Sequence, residues 1–229
     1  MRLAVVFVAA GLCLARNSED SVPDGIWHEV GRDQLALIKA PLRLKERKWI
    51  SAALPIAGAT TALLLTDTRA ARGLPNSADQ IGVSSKVSQA GALYTLGAAV
   101  VGTALVARSK DRPEAVRTSI LAGRSLVSAT VLTVAIKFTA GRERPFQNTE
   151  GRFWKAKDSF PSGHSMAIWS VAATVARHPN CPKWLKVTSY GAAIAVGAAR
   201  VGARKHFPSD AFVGSSLGFL IGSRMARQP

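Results

Sequence analysis

The sequence predicts an all-α fold, a compact bundle of about six core helices, and two observations carry that prediction. From Trp49 onward the 229-residue chain alternates Ala-rich apolar blocks with short charged or proline-containing joints. None of the blocks keeps the period-two alternation or the β-branched density of a strand for long. The uncharged windows are Trp49–Thr66, Val87–Ala107, Ser125–Ile136, Ser159–Ala176, Val187–Ala199 and Ala211–Ser223. Their lengths suit the buried helices of one bundle, so residues 49–229 are read as a single domain.

Taken in order, residues 1–15 have the pattern of a signal peptide. Arg2 is followed by an apolar run from Leu3 to Leu14, with Ala15 as a small residue at the cleavage point. Residues 16–48 form a polar segment holding Glu19 and Asp20, a Pro23-Asp24-Gly25 turn and a basic run from Arg43 to Lys48, with room for one short helix. Polar joints follow at 67–86, which contains Gly73, Pro75 and Asn76, at 108–114 with Pro113, and at 177–186 with Pro179 and Pro182. Proline in such joints ends helices because it lacks the amide hydrogen and clashes with the preceding turn.

Thirty Lys and Arg against fourteen Asp and Glu give a net charge of +16. Such a surface attracts phosphates, nucleic acid or anionic lipid headgroups. Two cysteines, Cys13 and Cys181, exclude a disulfide framework and a Cys-rich metal site. A charged fraction of 19%, below the roughly 25% of ordinary soluble domains, leans toward a membrane. Window length leans back, because a span needs about 20 apolar residues and half of the windows have 12 or 13.

Three clusters of polar residues sit beside the apolar windows. Lys137 closes one window and is followed by Gly141 and Arg144-Pro145. A cation there suits the negative end of a helix, and a glycine turn brings Arg144 back toward Lys137, so that the two grip one phosphate. Pro161-Ser162-Gly163-His164 precedes the next window. Ser162 is a good N-cap, Gly163 permits close approach, and free amides at a helix start attract anions. Last, Arg200 is followed by His206 and Asp210. A carboxylate beside an imidazole fixes its tautomer and makes the opposite nitrogen the better nucleophile.

In this order and at these spacings, Lys-x6-Arg-Pro, Pro-Ser-Gly-His and Arg-x5-His-x3-Asp resemble the three signature motifs of the phosphatidic acid phosphatase type 2 (PAP2) family. That family also includes bacterial non-specific acid phosphatases and vanadium haloperoxidases. The resemblance covers roughly residues 90–225. It implies a phosphatase that uses no metal or other cofactor, with His206 as nucleophile, His164 as acid and base, and Asp210 orienting His206. It also implies that Lys137, Arg144, Ser162, Gly163 and Arg200 hold the phosphate. The substrates it implies are phosphomonoesters or lipid phosphates and pyrophosphates, with a membrane surface as a further partner and no nucleic acid. The alternatives are a vanadate-dependent haloperoxidase, in which vanadate is cofactor rather than inhibitor, and an anion-binding protein without turnover. Ala199 stands where many relatives have serine, which removes one hydroxyl contact.

Outside the motifs, Arg142, Glu143, Lys155 and Lys157 read as a solvated rim, and His28 and His178 as surface residues. Arg204 and Lys205 are placed to reach a leaving group. Phe153 and Trp154 either pack or form a lip for an apolar substrate. An export signal points to a compact domain outside the inner membrane; the alternative is an integral membrane protein of six spans with its site facing outward.

Overall fold

The computed structural model describes residues 26–39, 47–147 and 150–228. The expected signal peptide at 1–15, with Cys13, and much of the polar segment and its basic run lie outside the described residues. Among those described there are eight α-helices and no strand: α1 (Ile26–Lys39), α2 (Arg47–Gly73), α3 (Ala78–Ser88), α4 (Leu93–Ser109), α5 (Pro113–Ala140), α6 (Gly163–Ala176), α7 (Lys183–Gly202) and α8 (Pro208–Met225). Each of the six uncharged windows lies wholly or largely within one of α2, α4, α5, α6, α7 and α8. The all-α expectation therefore holds.

The joints are shorter than expected. The polar stretch 67–86 is mostly helical, because α2 continues through Asp67 to Gly73 and α3 begins at Ala78. The Ser77 hydroxyl caps α3 by accepting from the Gln80 amide at 3.3 Å. Only the residues around Gly73, Pro75 and Asn76 break the chain there. Asp67, the first residue of that polar stretch, is buried. Pro113 opens α5 at its first turn, where a missing amide costs nothing.

Helix α6 lies at the centre. Leu126 of α5, Leu96 of α4 and Ala193 and Val196 of α7 pack around its Ala167, Ile168 and Ala172. On the opposite side Met166 meets Ala129 and Ile221. These side chains are small on average, so the stability rests on close helix approach as much as on bulky groups, each of which contributes about 1.5–3 kcal/mol when fully buried.

The tightest approach is between α6 and α8. A Cβ on Gly214 would lie 2.5 Å from the Ser162 carbonyl oxygen, one on Gly218 2.3 Å from that of Met166, and one on Gly222 2.1 Å from that of Ser170. The contacts advance together along both helices, so α6 and α8 run parallel. The four-residue spacing of these glycines is a signature of close helix packing that lies in plain view in the sequence.

Helix α1 is joined to α5 by polar contacts. Arg124 bonds Glu29 at 2.6 Å and Asp33 at 2.8 Å, and Gln34 bonds the Ser128 hydroxyl at 2.9 Å. The outer faces of the bundle carry many apolar side chains, among them Leu54 and Leu65 of α2, Leu105 and Val106 of α4, Val131 and Val134 of α5, and Val187 and Ile194 of α7. Among the described residues α5 alone is long and apolar enough to cross a membrane, and α3 with its short extension and α4 pass together as a pair bent by 43°.

The glycine contacts predict that Gly218→Ala destabilises the fold by about 1–3 kcal/mol, because the added methyl must push two backbones apart. Gly58, with nothing within 4 Å of its Cβ position, accepts alanine with no loss and a gain of at most about 1 kcal/mol from helix propensity. Thermal or denaturant unfolding of the two variants checks both.

Candidate active site

Four helix ends meet at one end of the bundle. The N-termini of α6 and α8 lie side by side, tied by the Ser162 amide donating to the Asp210 carbonyl at 3.0 Å. The C-terminal part of α5 packs on the start of α6 through the Thr133 hydroxyl and the Met166 sulfur, 3.1 Å apart. A Cβ on Gly197, late in α7, would lie 3.9 Å from the Ser165 hydroxyl. Two positive helix ends thus face the site alongside two negative ones, and Lys137 and Arg200 sit on the latter, where cations are favoured.

The cations converge as the spacing predicts. Gly141 caps α5 in the left-handed region at φ 54° and turns the chain back. Arg144 then forms a two-pronged pair with Asp158, at 2.8 and 2.7 Å. Lys137 donates to the Asp158 backbone carbonyl at 2.6 Å and lies 3.5 Å from its carboxylate. That carboxylate, more than half exposed, sits where both cations point. The Arg144 hydrogen bond is the main force that holds its pKa at about 2, against the cost of burial and with help from Lys137. Arg200 is nearly buried and donates to the Ser88 hydroxyl at 3.3 Å, while its Nε has no hydrogen-bond partner among the described residues.

His206 is buried, with Nδ1 2.7 Å from the Ser159 carbonyl oxygen. A carbonyl oxygen only accepts, so Nδ1 carries the proton and Nε2 keeps its lone pair. The Asp210 carboxylate is 3.7 Å from the same nitrogen and accepts from the Ser159 hydroxyl at 2.6 Å. Asp210 therefore reaches His206 chiefly through Ser159, a residue the motifs pass over. Burial pushes the His206 pKa down to about 4, against the pull of Asp210. His164, in the first turn of α6, is lowered to about 3, first by burial and then by Arg200, His206, Lys137 and Arg144. Those influences place both imidazoles and all three cations in one electrostatic neighbourhood.

Ser162 is fully buried, its oxygen accepting from the Ser165 hydroxyl at 3.0 Å and more weakly from the Ser165 amide at 3.4 Å, as an N-cap does. Gly163 admits Thr133, whose methyl would stand 3.1 Å from a Cβ there. Ala199 is buried in α7 one residue before Arg200.

The solvated-rim reading of Arg142 is overturned. Arg142 is buried and bonds the Gly151 carbonyl at 3.0 Å, the Ser209 hydroxyl at 2.7 Å, Asp210 at 2.6 Å and Asp67 at 2.7 Å. Its guanidinium carbon lies 4.4 Å from the Phe207 ring centroid and 4.8 Å from that of Phe153. Two carboxylates and two rings offset its desolvation, which a local view of Gly-Arg-Glu-Arg-Pro does not reveal. Asp67, lone and acidic after a long uncharged window, was the available signal. Arg204 does not extend toward a leaving group; it donates to the Ala71 and Leu74 carbonyls at the end of α2, at 3.0 and 3.3 Å. Lys205 lies over the Phe146 ring. Phe153 packs, against Phe160 as well as Arg142, whereas Trp154 is 83% exposed and Phe138 91%. His28 is exposed, and His178 pairs with Glu114 at 3.2 Å. Among the described residues no three His, Cys, Asp or Glu gather closely enough to hold a metal ion.

The folded pKa of His206 lies below the ordinary value of about 6.5. As pH falls from there toward about 4, the unfolded chain takes up a proton that the folded chain refuses. His206 thus withdraws up to about 3 kcal/mol of stability across that window, with none lost above it. His206→Gln, which does not titrate, flattens this part of the stability profile in denaturant unfolding at stepped pH.

No curated protein matches the chain. Its fold is similar to that of a solved transmembrane PAP2-type phosphatidylglycerolphosphate phosphatase from Bacillus subtilis, with a TM-score of 0.50 and 21% sequence identity over 86% of this chain and 92% of that one. The model of the PAP2 superfamily matches residues 118–229. That matched segment holds all three motifs, and their side chains gather at one end of the all-α bundle.

Proposed function

We propose that the protein is a PAP2-type phosphatase that cleaves phosphomonoesters, lipid phosphates foremost, through a phosphohistidine on His206 and without a metal ion. The observation that carries this reading is the gathering of Lys137, Arg144 and Arg200 about His164, with His206 in the same neighbourhood and both imidazole pKa values lowered, first of all by burial. A phosphomonoester brings close to two negative charges to three cations. Arg200 Nε, buried and unpartnered among the described residues, gains an acceptor when an anion enters. The two prongs of Arg144 that hold the Asp158 carboxylate match the geometry of two phosphate oxygens.

In the proposed reaction the Nε2 lone pair of His206 attacks phosphorus, and the bond to the leaving alcohol breaks as His164 gives that oxygen a proton. Water then attacks phosphorus, His164 takes back a proton, the phosphorus–nitrogen bond breaks and phosphate leaves. His164 is neutral when the cations beside it are unscreened. A bound phosphate offsets those cations and raises its proton affinity, so substrate binding arms the acid. The Gly163 amide and the Ser162 hydroxyl stabilise the nonbridging oxygens as charge shifts.

The lip favours a lipid over a soluble ester. Phe138 follows Lys137 on the last turn of α5, and the Trp154 amide donates to the Ala140 carbonyl at 2.9 Å, so two exposed aromatic side chains border the phosphate grip. With the apolar outer faces of α2, α4, α5 and α7, they suit an exported, membrane-associated enzyme whose site meets a headgroup at the interface.

Hydrolysis of para-nitrophenyl phosphate, phosphatidic acid and undecaprenyl diphosphate tests the reading. His206→Ala abolishes phosphate release, and His164→Ala slows it about 10²–10⁴-fold. Chelator leaves the rate unchanged, and vanadate inhibits. Phosphate release undiminished in His206→Ala, or abolished by chelator, rejects the mechanism. Trp154→Ala raises KM for the lipid substrates and leaves para-nitrophenyl phosphate unaffected.

A further inference from the structure

Behind His206 lies a buried chain of charged and polar groups that begins on α2, outside the segment matched by the superfamily model. Asp67 is buried, accepts from the Ser209 amide at 3.0 Å and from the Ser209 hydroxyl, and pairs with Arg142 at 2.7 Å. Arg142 also donates to the Ser209 hydroxyl and to one Asp210 oxygen. The other Asp210 oxygen accepts from the Phe207 amide at 2.8 Å and from the Ser159 hydroxyl, and the Ser159 carbonyl accepts from His206 Nδ1. Every link is a hydrogen bond between groups with no exposure to speak of.

Two features set this chain apart from an ordinary structural ion pair. It contains two carboxylates and one guanidinium, so it carries one excess negative charge beside an imidazole that must bear positive charge when it is phosphorylated. Asp67 also shares Arg142 with Asp210. Were Asp67 neutral, Arg142 would cancel Asp210 alone and the site would lose its net charge.

We propose that Asp67 and Arg142 are positioning residues for His206, acting through Asp210 and Ser159 to hold the Nε2 lone pair toward the substrate and to supply the negative charge that the phosphorylated imidazole needs. The proposal rests on the phosphatase reading for its kinetic consequence and on the geometry alone for its effect on the imidazole. Neither residue touches the phosphate, so their loss lowers kcat and spares KM.

The test uses the full chain in detergent with para-nitrophenyl phosphate as substrate, with Asp67→Asn, Arg142→Gln and the double variant. Asp67→Asn is expected to lower kcat about tenfold with KM within about twofold, and the double variant to be no slower than Arg142→Gln, because coupled residues are not additive. Nitrogen-15 NMR of the histidines gives the second readout. His206 is fixed as the Nδ1–H tautomer in the parent and becomes a mixture of tautomers in both single variants. An unchanged kcat with an unchanged tautomer in Asp67→Asn, or additive losses in the double variant, overturns the proposal. Absence of turnover in the parent fails the phosphatase reading only, and the imidazole spectrum then decides. If Asp67→Asn does not fold, Ser209→Ala replaces it; removing the hydroxyl bonded to both Asp67 and Arg142 is expected to lower kcat about threefold at constant KM, and an unchanged kcat overturns the proposal.

Discussion

Helices α6 and α8 approach so closely that the glycines of one lie against the carbonyl oxygens of the other. Gly214, Gly218 and Gly222 leave no room for a Cβ, and the same packing brings the two N-termini level. Ser162 and Asp210 are then joined by a backbone hydrogen bond. A side chain on any of those glycines would push the two helices apart and disturb the alignment of the helix starts beside which His164 and His206 lie. The geometry of the site thus depends on an interface of small residues well below it.

Charge is arranged around that point in two layers. Toward solvent, Lys137, Arg144 and Arg200 stand with one carboxylate, Asp158, between them. Behind, Arg142 is shared by two carboxylates. The outer layer is short of negative charge and the inner layer has an excess of it. In the reaction we propose, an incoming phosphate completes the first, and a cationic imidazole completes the second. Buried ions of this kind are costly to assemble and costlier to leave half made. That cost explains why the inner layer satisfies nearly every donor and acceptor while the outer one leaves Arg200 Nε unpartnered among the described residues.

Much of this was legible in the sequence. The six apolar windows marked six helices because a helix needs only a continuous apolar stripe and breakers at its ends. The three motifs marked Lys137, Arg144, His164, Arg200, His206 and Asp210, since each motif is short enough to fix its residues to one turn or one helix end. The expectation that Gly141 turns the chain and that Ser162 caps a helix followed from local backbone preference, and both were met.

What only tertiary structure decided were the residues whose roles depend on partners far along the chain. Arg142 looks like a surface cation until Asp67 of α2 and Asp210 of α8 are brought to it across dozens of residues. Asp158 lies in an undistinguished polar loop and acquires its role from the end of α5. Ser159 matters through its carbonyl, which no side-chain motif records. Sequence by itself determined the helices and the candidate site residues, because these follow from periodicity and local chemistry. The fold decided which charges are buried together, because burial depends on surfaces that meet only after the helices pack.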